Sequence, residues 1–154
     1  MNSFKGALAL LLAFAASPLL SGGAAHAAGN NLTAAQIQAT LGGNYACGTA
    51  GSETWDETIP NAPSGTVTDY KQGSTDPIDP TKAVGTFTIN NNGGTINGLG
   101  NNVDTITYNY GGPTLTYIVQ GTGTGPGSYT FVGKGAAPTL AITVSATPCQ
   151  PHRT

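Results

Sequence analysis

Charge is scarce in this chain, and that scarcity sets the first limits on what it does. Five Lys and Arg stand against seven Asp and Glu in 154 residues, a formal net charge of −2, with no basic cluster anywhere. Nucleic-acid binding rests on neutralising phosphates with Lys and Arg, so it is excluded as a function, and attraction to anionic membrane surfaces goes with it. Histidine is nearly missing: His26 stands near the start and His152 in the tail. There is no Cys-x-x-Cys and no Gly-x-Ser-x-Gly. With no nucleophile–base arrangement to name, the chain reads as not an enzyme, and no motif points to a cofactor. Acid pairs such as Glu53 with Glu57, or Asp56 with Asp69, are of the kind that seven scattered carboxylates produce by chance. A long apolar run is also lacking. The stretch from Ala7 to Ala16 falls short of the roughly 20 residues that a membrane span needs.

That short apolar run has another reading. Lys5 precedes it, Ser17 and Pro18 break it, and a small-residue stretch ends in Ala25-His26-Ala27. This is the order of a secretory signal peptide, with cleavage expected after Ala27. No Cys stands at the cleavage site to carry a lipid, and no Arg pair precedes the apolar run. The general secretion route is therefore expected, with a periplasmic or extracellular protein as its product and no membrane anchor after cleavage. Residues 28–154 then form one domain on the length prior. Low charge does not make them disordered, because aromatic, Val, Ile and Leu residues are plentiful.

Both cysteines, Cys47 and Cys149, fall in this mature part. In an oxidising compartment two cysteines and no others most simply form one disulfide. Thr33 and Gln36 then have capping-box spacing, Leu32 and Ile37 sit at staple positions, Leu41 follows Ile37 on the same face, and Gly42-Gly43 stops the helix. From Asn44 onward the apolar period changes to two. Segments near 44–49, 52–59, 65–71, 84–90, 104–110, 114–120, 128–132 and 139–145 alternate Tyr, Trp, Phe, Ile, Val and Leu with Thr and other polar residues. A short strand near Thr95 to Asn97 is a further candidate. Gly and Asn fill the connections. The expected class is all-β: an antiparallel up-and-down barrel of about eight strands with a short N-terminal helix, or else a two-sheet sandwich. A bond from Cys47 on the first strand to Cys149 after the last brings the two ends of the sheet together.

The segments Trp55-Asp56-Glu57, Gly65-Thr66-Val67-Thr68-Asp69-Tyr70-Lys71, Asp76-Pro77-Ile78-Asp79-Pro80-Thr81-Lys82 and Tyr108-Asn109-Tyr110-Gly111-Gly112 resemble a group of uncharacterised exported proteobacterial β-proteins. That resemblance implies export and no particular activity. The short helix followed by Gly43-Asn44-Tyr45 resembles the opening of the calycins, the lipocalin-like ligand-binding barrels, although those normally carry Trp where Tyr45 stands. Tyr45-Ala46-Cys47 resembles the first strand of small periplasmic lysozyme inhibitors.

Trp55 and Glu57 share a strand face, and so do Tyr108 and Tyr110, with Tyr117 on the next strand. Trp55, Glu57, Tyr108 and Tyr117 are the candidate ligand-binding residues: an aromatic floor, one acceptor, and hydroxyls suited to a small, partly apolar ligand. The alternative is that the same aromatics are cross-strand packing pairs. Asp76 and Asp79 are two loop carboxylates, too few for a dedicated calcium site. The expected function is a non-catalytic binding module that holds a small ligand in the barrel interior, which requires an internal cavity of at least about a few hundred Å³, and a barrel filled by its own side chains would count against it. Competing readings are a protein-partner module, such as an inhibitor of a cell-wall hydrolase, and a structural envelope protein.

Overall fold

The computed structural model describes residues 30–50, 53–72, 82–96, 100–112 and 114–149. The expected signal peptide at 1–27, the Asp76 and Asp79 pair, and His152 lie outside these residues. After the two-residue strand β1 (Asn30–Asn31) comes helix α1 (Ala34–Leu41). Thr33 caps it through the expected box. Its hydroxyl accepts from Gln36 N–H, and its own N–H donates to Gln36 Oε1 at 2.9 Å. Leu32, Ile37 and Leu41 are buried along one edge.

Eight strands follow: β2 (Tyr45–Ala50), β3 (Glu53–Thr58), β4 (Ser64–Gln72), β5 (Lys82–Ile96), β6 (Gly100–Asn109), β7 (Thr114–Gly121), β8 (Gly127–Gly133) and β9 (Leu140–Ser145). Each pairs antiparallel with its chain neighbours, and β2 also pairs with β9, so the sheet closes into an eight-stranded barrel and the sandwich is set aside. Closure removes the exposed edges that an open sheet would present.

The barrel interior is packed with side chains. Ala46, Ile59, Val67, Phe87, Ile89, Ile106, Tyr108, Tyr117, Val119, Tyr129, Phe131, Ile142 and Val144 form one buried cluster with the apolar edge of α1. Gly42 bridges to Ile59 at the end of β3, and Ala34 N–H donates to Asp104 Oδ2 on β6 at 2.7 Å. The helix therefore plugs the barrel end at which β2 begins and β3 finishes. At that same end Tyr129 donates to the Gly125 carbonyl at 2.8 Å, which holds the β7–β8 connection over the opening. The opposite end is the mouth considered below.

The disulfide joins Cys47 to Cys149, with Cα atoms 6.2 Å apart. It sits on the outside of the barrel, because Ala46 beside Cys47 points into the core. The tail turns back over β2, and Cys149 N–H donates to Asp56 Oδ2 on β3 at 3.0 Å. Asp56 faces outward and is only 1 % exposed. Asp56→Ala removes this part-buried hydrogen bond to a charged acceptor, a loss of about 1–3 kcal/mol. The expected result is a lower melting temperature together with faster reduction of the disulfide by dithiothreitol; a wild-type reduction rate would contradict it.

Two features depart from the expected strand plan. β1 occupies a place in the wall: β7 pairs with β6 as far as Tyr117, and beyond it Gln120 and Gly121 pair with Asn31 and Asn30. β5 and β6 also run well past their expected ends as an irregularly paired extension. This extension doubles back over the outer wall. A Cβ on Gly93 would collide with Thr105 Oγ1, and one on Gly94 with Lys134 Nζ in the β8–β9 turn. Thr105 faces outward, is fully buried beneath the extension, and its hydroxyl has no hydrogen-bond partner among the described residues. Thr105→Val should therefore raise the unfolding free energy, by about 1 kcal/mol, since it removes an unsatisfied polar group and keeps the shape. Chemical denaturation checks this, and a clear loss of stability would contradict it.

Candidate functional site

Alternation decides which side chains reach the mouth. On β3, Ile59 is core, so Glu57 and Trp55 point the same way, into the barrel. On β6, Ile106 and Tyr108 are core, and Tyr110, one residue past the strand, stands on the same face. Tyr117 on β7 points inward between them and Phe131 of β8. All four residues expected from the sequence therefore lie inside the same end of the barrel, and the structure adds Tyr110 and Asp69.

The aromatic rings form a column. Tyr110 stacks on Tyr108 with centroids 5.9 Å apart and planes 2° from parallel. Tyr108 meets Tyr117 edge-on at 6.2 Å, and Tyr117 meets Phe131 at 5.7 Å. These offset and edge-to-face contacts are the geometries that aromatic quadrupoles favour. Trp55 is half-buried against the core, above Gly48 on β2. A Cβ on Gly48 would come within 2.5 Å of the indole ring, so glycine makes room for it. Gly48→Ala should displace the indole, shift the emission of the chain's single tryptophan, and lower stability by about 1–3 kcal/mol through overpacking. Unchanged emission would contradict that placement. Gly85 on β5 has a similar part: a Cβ there would strike the Asn109 carbonyl and approach Tyr110 Cα at 3.1 Å.

Glu57 is the polar centre of this end. Tyr110 donates its hydroxyl hydrogen to Glu57 Oε1 at 2.7 Å. The two residues belong to opposite walls, with β4 and β5 between them on one side and β7, β8, β9 and β2 on the other. The Tyr110 ring thus reaches across the mouth. Asp69 on β4 is directly opposite Glu57 in register and 5 % exposed. The inward carboxylate pair is therefore Glu57 with Asp69. The pairing of Asp56 with Asp69 does not occur, because Asp56 stands opposite Tyr70 and faces outward. Among the described residues no group of three or more His, Cys, Asp or Glu side chains is placed to hold a metal ion.

Burial, followed by the charge of Glu57 and the nearness of Tyr117, holds the Tyr108 hydroxyl well above the usual tyrosine range. Burial and then Glu57 act in the same direction on Tyr117 and, with the hydrogen bond added, on Tyr110. All three remain neutral donors at ordinary pH. A group whose folded value lies above its unfolded value of 10.0 releases its proton from the unfolded chain first. Its contribution to stability is complete below about pH 10 and fades as the pH rises further. Of the six tyrosines, the buried Tyr108 and Tyr117 should gain tyrosinate absorbance only as the fold is lost. Six tyrosinates titrating in a still-folded barrel would contradict this.

No family model, no curated protein and no solved structure matches this chain.

Proposed function

We propose that the chain is an exported, non-catalytic binding module that holds a small, partly apolar ligand at the mouth of its barrel. The carrying observation is the Tyr110–Glu57 hydrogen bond across that mouth, between walls that are not neighbours. The signal-peptide pattern at 1–27 supports passage by the general secretion route to the periplasm or beyond, and the disulfide suits such a compartment. The interior seat expected from the sequence is given up, because the barrel core is filled by its own side chains. The ligand instead meets the protein at the rim, against Trp55, Glu57 and the outer face of the tyrosine column. Aromatic faces around one acceptor are the usual composition of a small-molecule site.

Trp55 provides the assay, because it is the only tryptophan. Fractions of small molecules extracted from the host envelope are titrated into the oxidised protein while its emission is followed. The expected outcome is one fraction that shifts the emission of wild type and not of Glu57→Leu. If no fraction moves the wild-type emission, the proposal fails.

A further inference from the structure

We infer that Tyr110 is a built-in stand-in for the ligand, and that the site takes a single phenol-sized ring carrying a hydroxyl donor. This rests on the mouth being the binding site and names the class of molecule it accepts.

Tyr110 is the only exposed large hydrophobic residue among those described, at 36 % of its surface. It lies just past β6 and is followed by Gly111, at φ 80°, and Gly112, where an added Cβ would meet nothing. The Gly111 N–H donates to Asn109 Oδ1 at 2.9 Å, so the turn itself is held, while the space beside both glycines is open to the Tyr110 side chain. The tyrosine's own ties to the mouth are the stack on Tyr108 and the O–H donated to Glu57. A free phenol can make both. When the Tyr110 side chain swings outward, the face of Tyr108 and the Glu57 carboxylate are uncovered together. The seat is one ring deep, because Tyr108, Tyr117 and Phe131 already fill the column beneath it. Trp55, on the Glu57 face of β3, forms a further wall. A ring without a donor forgoes the hydrogen bond to the charged Glu57 carboxylate that the Tyr110 hydroxyl makes, and bonds to an ionised acceptor are among the stronger ones. In wild type the tethered ring competes with the ligand, so removing it should tighten binding.

The test uses the full, oxidised protein with p-cresol and toluene, two probes that differ only in the hydroxyl. Binding is read by Trp55 emission and by the shift in melting temperature. Tyr110→Ala should bind p-cresol at least tenfold more tightly than wild type does, and at least tenfold more tightly than it binds toluene. Adding Glu57→Leu should make the two probes equal. Tyr110→Phe keeps the ring and drops the donor, so it folds where alanine fails to, and it should bind p-cresol severalfold better than wild type. Equal binding of both probes by a folded Tyr110→Ala overturns the donor requirement while leaving the mouth as the binding site. Binding of neither probe by that folded variant overturns the stand-in role, and the envelope-extract titration then decides separately whether the mouth binds anything.

Discussion

Replacing Cys47 and Cys149 together with alanine should lower the unfolding free energy by about 4–5 kcal/mol, the value chain entropy assigns to a closed loop of roughly a hundred residues. The sequence separation of the pair is 102. The structure adds a local reason for a large effect. β2 and β9 close the barrel through three register pairs, Tyr45 with Ser145, Ala46 with Val144 and Cys47 with Thr143, whereas β2 and β3 share six. The seam is the short ladder of the barrel, and the disulfide fastens it from outside. Its loss also frees the tail whose Cys149 N–H is donated to the buried Asp56 carboxylate. Urea denaturation of the double variant measures the change. A loss below about 1 kcal/mol would mean that the ladder closes the barrel unaided and that the unfolded chain gains little freedom.

Tyr108→Ala should lower stability by about 3–5 kcal/mol, the range for deleting a large aromatic from a packed core. Tyr108 is fully enclosed and carries the column, with Tyr110 stacked on one face and Tyr117 set edge-on. Its removal leaves a cavity and takes away the platform on which Tyr110 rests. Tyr108→Phe keeps the ring and should lose less than about 1.5 kcal/mol. If alanine and phenylalanine behave alike, the hydroxyl rather than the ring holds the column, and this account of the mouth is wrong.

Much of this architecture was legible in the sequence. Thr33 and Gln36 marked the helix start because a capping box is a local, three-residue signal. The period-two runs marked all eight barrel strands, and the cysteine positions implied that the ends of the sheet meet. Trp55, Glu57, Tyr108 and Tyr117 were legible as inward residues for the same reason of alternation. β1 was missed because two residues carry no periodicity. The extension of β5 and β6 was legible only where the strand candidate near 95–97 puts Thr95 and Ile96 in β5, with Asn97 outside the described residues. The rest was missed because its Asn and Gly residues have turn chemistry, and three of them, Asn92, Gly94 and Asn102, do adopt positive φ within it. The Tyr110–Glu57 contact depends on the curvature of the closed wall, which brings β6 opposite β3, and nothing local encodes that. The Glu57–Asp69 pairing depends on the β3–β4 register, and a one-residue slip would have put Asp56 inside instead.

The central claim is that the mouth around Glu57 holds a small molecule in the living cell. Native mass spectrometry of the oxidised protein, recovered from its own host without denaturation, tests that most directly. The account predicts a one-to-one complex with a small molecule, absent when Glu57→Leu is recovered in the same way. Bare polypeptide from both proteins, or an adduct that the Glu57→Leu protein keeps, would contradict it.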